Sequence, residues 1–338
     1  MTSSTPTTAL DRALDWLVAA QHPSGELPSY ASPTTGGPLA WEPDQLNFIT
    51  ALCAEVIDGI DDPRAEGLVD RAVDFLRAER EPADLWRYWA RANERSPFTP
   101  PDADDTACCS LAVACRGDRT DGNVAVLAAT ACADGRFHTW LIPHERRLPL
   151  AVRWRLRDER RSATQALRAE LWANTEAEAG DVDAVVNANV CRYLGPAAPS
   201  GAVDWVVSVV EAGWDTADKW HRTPYTLWAA VADGARRGVA PFAGLGPLIL
   251  DRIAGAVDAD GTVGRSLDAA LALLAVQRFD GPPDLRRVLA DGLVRAQDDD
   301  GCWARDIFYY GGPDEVFGWA SEALTTAFAA AGLAAEAR

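Results

Sequence analysis

The chain has almost no lysine. Lys219 stands alone among 338 residues, and the four histidines, His22, His138, His144 and His221, are scattered. With no Cys-x-x-Cys pair beside them, they do not supply the ligand set of a zinc site. Seven cysteines is an odd number, and the neighbours Cys108 and Cys109 do not readily bridge each other, so reduced, buried thiols are expected. A run of about eighteen apolar residues, the minimum for a membrane-spanning helix, occurs nowhere. The opening stretch MTSSTPTTALDRALDWLVAA lacks a basic start followed by an unbroken apolar run, so no secretory leader is expected and the location read from sequence is cytoplasmic. Positive charge is scarce overall: the net charge of -18 and isoelectric point near 4.6 set the chain against nucleic acid or an anionic membrane as its main partner. Alternating strand patterns are scarce as well, which points away from a sheet-based core.

What is abundant is apolar residue at helical spacing, as in Leu10, Leu14 and Leu17, or Leu285, Val288, Leu289 and Leu293. Two kinds of helix alternate. One kind carries charge on one face, near 8–20, 66–79, 122–133, 201–212, 245–257 and 284–297. The other is small and apolar all round, near 45–58, 104–115, 182–194, 223–236, 265–277 and 318–332, as expected for helices buried on every side. Six such hairpins bury one another by stacking or closing, so the expected fold is all-α, an (α/α)6 barrel in one domain over 1–338. The long stretch 134–181 reads as an irregular connection or insertion.

Several outer helices end in a glycine-bearing turn: QHPSGEL from Gln21, ADGRFHTW from Ala133, DADGTV from Asp258 and QDDDGCW from Gln297. Glycine admits the positive φ that ends a helix, and a following tryptophan can fold back over the preceding turn. The stretch PPDADDTACCS raises a different question, because it crowds Asp102, Asp104 and Asp105 together. Three readings are open: a divalent-metal site, a helix start over-supplied with acid and helped by Thr106, or a carboxylic acid kept protonated by its neighbours. The metal reading lacks further oxygen ligands in the sequence. The third has physical support, since neighbouring carboxylates and an apolar setting such as TACCSLAVAC both disfavour the ionised form.

The hexapeptide DADDTA at Asp102 to Ala107 resembles the Asp-x-Asp-Asp-Thr-Ala motif of class II terpene cyclases, the squalene-hopene cyclase type, at every specified position. QDDDGCW resembles that family's Gln-x-x-x-Gly-x-Trp repeat at Gln297, Gly301 and Trp303, whereas QHPSGEL has Leu27 in place of the tryptophan. The resemblance implies that Asp104 donates a proton to an unactivated alkene while Asp102 and Asp105 orient it and keep it protonated. It implies a linear isoprenoid or isoprenoid diphosphate as partner, no cofactor for the protonation, and Mg²⁺ only where the substrate is a diphosphate. Such cyclases usually join two toroidal domains, and this chain has length for one, so a homo-oligomer or a second cyclase domain on another chain would be the partner that closes the pocket. The alternative function is a non-catalytic isoprenoid-binding toroid or one subunit of a two-chain cyclase. A toroidal glycan-processing enzyme fits the fold but matches the hexapeptide less well, and the zinc ligands of a prenyltransferase β-subunit are not apparent.

Carbocations need walls that do not quench them, and aromatic faces serve. The aromatic candidates are Tyr225, Trp228, Phe308, Tyr309, Phe317 and Trp319, the last four within FYYGGPDEVFGW, with Trp41, Trp86, Trp89, Trp220 and Tyr310 as further aromatic residues near inner-helix starts. A second polar pair, Asp183 and Asn187, lies four residues apart on an otherwise apolar helix; it reads as a substrate contact or a cap and inter-helix hydrogen bond. Acids also open other inner helices at Asp44, Asp268 and Glu322. Seven arginines between Arg146 and Arg161 offer a diphosphate grip or a solvated segment.

Overall fold

The computed structural model describes residues 5–143 and 149–337. In chain order its helices are α1 (Pro6–Ala20), α2 (Asn47–Ile57), α3 (Pro63–Glu79), α4 (Ala103–Ala114), α5 (Asp121–Thr130), α6 (Leu150–Arg155), α7 (Ser162–Asn174) and α8 (Ala184–Leu194). They continue as α9 (Ser200–Ala212), α10 (Pro224–Arg236), α11 (Ala240–Ala243), α12 (Gly246–Ala256), α13 (Ser266–Arg278), α14 (Pro283–Ala296) and α15 (Glu322–Glu336). Four short strands join them: β1 (Tyr30–Pro33), β2 (Glu42–Pro43), β3 (Ile307–Gly311) and β4 (Phe317–Ala320).

The apolar helices close a ring. α2 packs on α4, α4 on α8, α8 on α10, α10 on α13, α13 on α15, and α15 returns to α2. Burial separates the two kinds as their composition requires. Every residue of α4 from Ala103 to Val113 and every residue of α13 from Leu267 to Val276 is buried, whereas α14 buries only Leu289, Ala290, Gly292 and Leu293. The outer helices α1, α3, α9, α12 and α14 lie against this ring. The fold is therefore the all-α (α/α)6 barrel that the sequence pattern implies.

The turns between outer and inner helices bring backbones into contact. Gly25 and Gly301 adopt φ of +94° and +99°, and a Cβ there would meet the carbonyl oxygens of Arg71 and Arg12 at 2.0 and 2.7 Å. Gln297 donates to the carbonyls of Ala9 and Gly301, both at 2.8 Å, and Trp303 Nε1 donates to Leu293 at 2.9 Å. Trp86 makes the same contact ten residues back, to the carbonyl of Leu76 at 2.9 Å.

Two features depart from the sequence pattern. The last inner helix, expected from 318, begins at Glu322, because residues 317–320 form β4. β4 pairs with β3 and β1 in a four-stranded antiparallel sheet of order β2-β1-β4-β3. Aromatic residues favour a pleated, half-buried surface, and the Gly311-Gly312 pair, with φ of +75° at Gly312, allows the chain to turn. Within 134–181 lie α6 and α7, preceded by an extended stretch that runs beside the start of α4. There Ala103 N donates to Thr139 at 2.8 Å and Leu141 N donates to Pro101 at 2.9 Å. This pairing carries Thr139 and Trp140 to the aspartates.

Candidate active site

The aspartates open α4, and the first caps it. Asp102 has extended φ/ψ and accepts a 2.7 Å hydrogen bond from Asp105 N, as an N-cap side chain does. Capping accounts for Asp102 alone. Asp104 and Asp105 follow inside the first turn, and all three side chains are buried, with 6, 7 and 1 % exposure in order. A surplus of acid at an ordinary helix start would face water.

Burial dominates the electrostatics. It pushes the Asp104 carboxyl well above the usual carboxylate range, the charge of Asp102 and then that of Asp218 push the same way, and a hydrogen bond from Asn189 and the more distant Arg192 pull back. Asp105 is raised for the same first reason and by Asp102 beside it. Neither Asp105 oxygen receives a hydrogen bond from an N–H or hydroxyl donor. Burial raises the Asp102 carboxyl as well, and the two adjacent carboxyls titrate as a coupled pair shifted toward the protonated form. Asn189, on α8, donates through Nδ2 to Asp104 Oδ1 at 2.6 Å. That bond occupies Oδ1 as an acceptor and leaves Oδ2 as the oxygen on which a proton would sit.

A small enclosed space of about 10 Å³ lies beside these groups, walled by Phe48, Tyr88, Trp140, Trp220 and Tyr309 together with Thr139 and the three aspartates. Tyr309 closes it: its ring stacks on Trp220 at 5.5 Å and 9°, on Tyr88 at 5.1 Å and 27°, and meets Trp319 edge-on at 5.6 Å. Larger hollows, about 540 Å³ beside Glu66 and Arg116 and about 450 Å³ beside Glu42 and Arg95, sit away from the aspartates and lack their aromatic lining.

The other candidates divide. Phe308 borders a second interior cavity and lies 6.0 Å from Phe48. Trp319 stands behind Tyr309 and donates to Asp44 at 2.7 Å, as Trp89 does at 3.0 Å. Phe317 is 39 % exposed and borders the outer hollow near Asp44. Tyr225 and Trp228 pair with each other at 5.2 Å, and Trp228 donates to Asp215, so neither borders the cavity beside the aspartates. Asn187 clamps backbone, donating to the carbonyls of Phe137 and Asp183 and accepting from Phe137 N at 2.8 Å. Asp183 accepts from Thr139 at 2.5 Å and Trp220 Nε1 at 3.2 Å, and burial followed by the charge of Asp218 raises it to about 7. Of the arginine run, Arg153, Arg155, Arg157 and Arg161 are exposed, while His144, Arg146 and Arg147 lie outside the described residues. Among the described residues no group of three or more His, Cys, Asp or Glu is placed to hold a metal ion, and all seven cysteines are unbridged.

Asn189 and Arg192 escape the sequence reading. They sit three apart on α8, a spacing that places two polar groups on one face of an apolar helix. Asp218 also escapes it; its carboxylate accepts from the backbone N–H groups of Val185, Trp220 and His221 and holds the Trp220 wall.

The helical toroid is shared with solved structures of type II terpene cyclases. The type II terpene cyclase MstE from Scytonema, in a variant bound to geranylgeranyl dihydroxybenzoate, superposes with a TM-score of 0.70 at 14 % identity, covering 98 % of this chain and 97 % of that one. A protein from Actinoplanes superposes with a TM-score of 0.73 at 18 % identity, covering 98 and 99 %. The ent-copalyl diphosphate synthase of Streptomyces platensis gives 0.51 at 17 % identity, with 86 % of this chain covering 50 % of that one. No protein-family model and no curated protein sequence matches the chain.

Proposed function

We propose that this chain is a class II terpene cyclase-like enzyme in which Asp104 protonates the terminal alkene or epoxide of a linear isoprenoid. The Asp104 O–H bond breaks as its proton adds to the alkene carbon, leaving a tertiary cation that successive double bonds attack. Loss of a proton ends the sequence. The observation that carries the reading is Asp104 itself: buried, its carboxyl pushed well above the usual range by burial and Asp102, tethered at one oxygen by Asn189 and bordering an aromatic-walled space. Aromatic faces stabilise a passing cation without acting as bases. The shared toroid with MstE supports the same reading.

Protonation is proposed to need no cofactor, with Mg²⁺ entering only as a counterion to a diphosphate substrate. Conversion of a substrate without diphosphate is therefore expected to survive EDTA. Incubation with C10 to C30 isoprenoids and their diphosphates, followed by product analysis, tests the activity. The space beside Asp104 holds about one water. Substrate entry accordingly requires the aromatic side chains of the β3–β4 hairpin to withdraw. That closure also favours a second reading, in which the chain is an isoprenoid-binding toroid or one subunit of a two-chain cyclase whose partner opens the site.

A further inference from the structure

The interior of the barrel has a second charged end. The inner helices start at the aspartates and finish at a cluster of Glu55, Arg192, Asp233, Arg237 and Arg278, contributed by the last turns of α2, α8, α10 and α13 and the residue after α10. Glu55 pairs with Arg192 and with Arg237, the latter at 2.7 Å. Asp233 pairs with Arg237 at 2.5 Å and Arg278 at 3.3 Å. Three guanidiniums thus face two carboxylates, and one positive charge is left over. Burial pushes the Asp233 carboxyl up, but Arg278, Arg192 and Arg237 outweigh it and hold it well below the ordinary range, so neither acid is spared to neutralise the surplus. Carbonyl dipoles at helix C-termini offset part of that charge but do not cancel it.

The surplus borders empty space. A cavity of about 30 Å³ on the axis of the ring is lined by Glu55, Arg192, Arg278, Asn189, Phe308 and apolar side chains of the inner helices. Arg192 is 7 % exposed, and its Nε makes no hydrogen bond, lying 3.7 Å from Asp233. Among the described residues Arg278 has one ion pair, to Asp233, and its side chain is 22 % exposed. Asn189 borders this cavity and holds Asp104, which borders the other. Arg192 follows Asn189 by three residues, about 4.5 Å along the helix axis. The barrel therefore presents an acid at one end of a short path and a cluster with more guanidiniums than carboxylates at the other.

We propose that Arg192 and Arg278 form a binding site for the oxyanion end of the substrate, a carboxylate or diphosphate, while its alkene end meets Asp104. The proposal rests on the cyclase reading for the identity of the ligand and on the cluster for its charge. A guanidinium with an open edge is suited to donate two parallel hydrogen bonds to such a group. Phe308, between the two cavities, must turn aside for a chain to span them. Arg153, Arg155, Arg157 and Arg161 do not line this cavity.

The test is direct binding, measured by calorimetry on the intact chain with farnesol, farnesoic acid, farnesyl diphosphate and inorganic diphosphate. Wild type is expected to bind the acid or the diphosphate at least tenfold more tightly than the alcohol. Arg278→Gln should remove that preference while leaving alcohol affinity unchanged, Arg278→Lys should restore part of it, and Asp104→Asn should retain it. Circular dichroism checks that each variant is folded, and Arg192→Gln provides a second substitution at the site. Equal affinity for alcohol and anions in wild type, or a preference that survives Arg278→Gln and Arg192→Gln in folded protein, would overturn the proposal. Binding needs no turnover, so the two readings fail separately. Cyclisation of the alcohol without anion preference removes this site and leaves the cyclase. Arg278-dependent anion binding without cyclisation keeps the site and removes the cyclase.

Discussion

Asn189 Nδ2 donates to Asp104 Oδ1 across 2.6 Å, joining α8 to the first turn of α4 inside the barrel. The contact occupies one oxygen of the carboxyl as an acceptor and, in the proposed reaction, leaves the other to carry the proton. It also stabilises the carboxylate that remains after proton transfer, and so strengthens the acid.

Asn189→Ala should therefore slow turnover without unfolding the protein. A hydrogen bond to a charged group is worth about 1.5–3 kcal/mol, which corresponds to roughly a ten- to hundredfold loss in kcat. Steady-state kinetics with circular dichroism checks this. Unchanged kcat in a folded Asn189→Ala variant would remove the positioning role.

Asp183 sets a pH dependence of stability. Its carboxyl is raised from 3.8 to about 7 by burial and then by Asp218, so the folded state prefers it protonated. The associated stabilisation is fully present below about pH 4 and is lost as pH rises to about 7. Across that window the native state binds the proton and the unfolded chain does not, a slope of at most roughly 1.4 kcal/mol per pH unit from this group. Asp183→Asn should flatten the fall in Tm between pH 4 and 7, measured by thermal denaturation. An identical slope in both proteins would contradict the assignment.

Most of the barrel was legible because its helices differ in how many faces they bury, and burial on every side leaves a composition that one sequence displays. The sheet was not legible. β3 and β4 are aromatic-rich segments of five and four residues whose burial does not alternate cleanly, so they carried no strand period. The hexapeptide located the aspartates, but contacts between neighbouring inner helices are set by tertiary packing, which brings residues 104 and 189 together without any local signal. Asp183 and Asn187 looked like a pair from their spacing. The fold uses Asn187 to fasten the backbone of Phe137 and Asp183, the hydrogen-bonding option of that reading, and pairs Asn189 with the acid.

Asp105 should be replaceable at a gain in stability. Its raised carboxyl, caused by burial and then by Asp102, costs stability as pH climbs through its folded range, and an amide has no charge to bury. Asp105→Asn can also donate to Asp102, so its Tm should exceed that of wild type increasingly on the alkaline side while kcat falls less than for Asp104. A Tm deficit that grows with pH would show that Asp105 is ionised in the fold.

Trp303 is fully buried and fastens the end of α14 through its Nε1 contact to Leu293. Trp303→Ala should cost about 3–5 kcal/mol, as large aromatic truncations in packed cores do. Urea unfolding measures it. A loss below about 1 kcal/mol would mean that this turn contributes little to closing the barrel.

The central claim is that Asp104 supplies the proton. Its most direct test is product formation by Asp104→Asn, a substitution that keeps size and polarity but removes the transferable proton, assayed by mass spectrometry on whichever isoprenoid the wild type converts. Cyclised product is expected to disappear, with binding and circular dichroism preserved, while Asp102→Asn and Asp105→Asn retain partial activity; a general acid typically contributes about 10²–10⁴-fold. Full conversion by a folded Asp104→Asn protein would contradict the account.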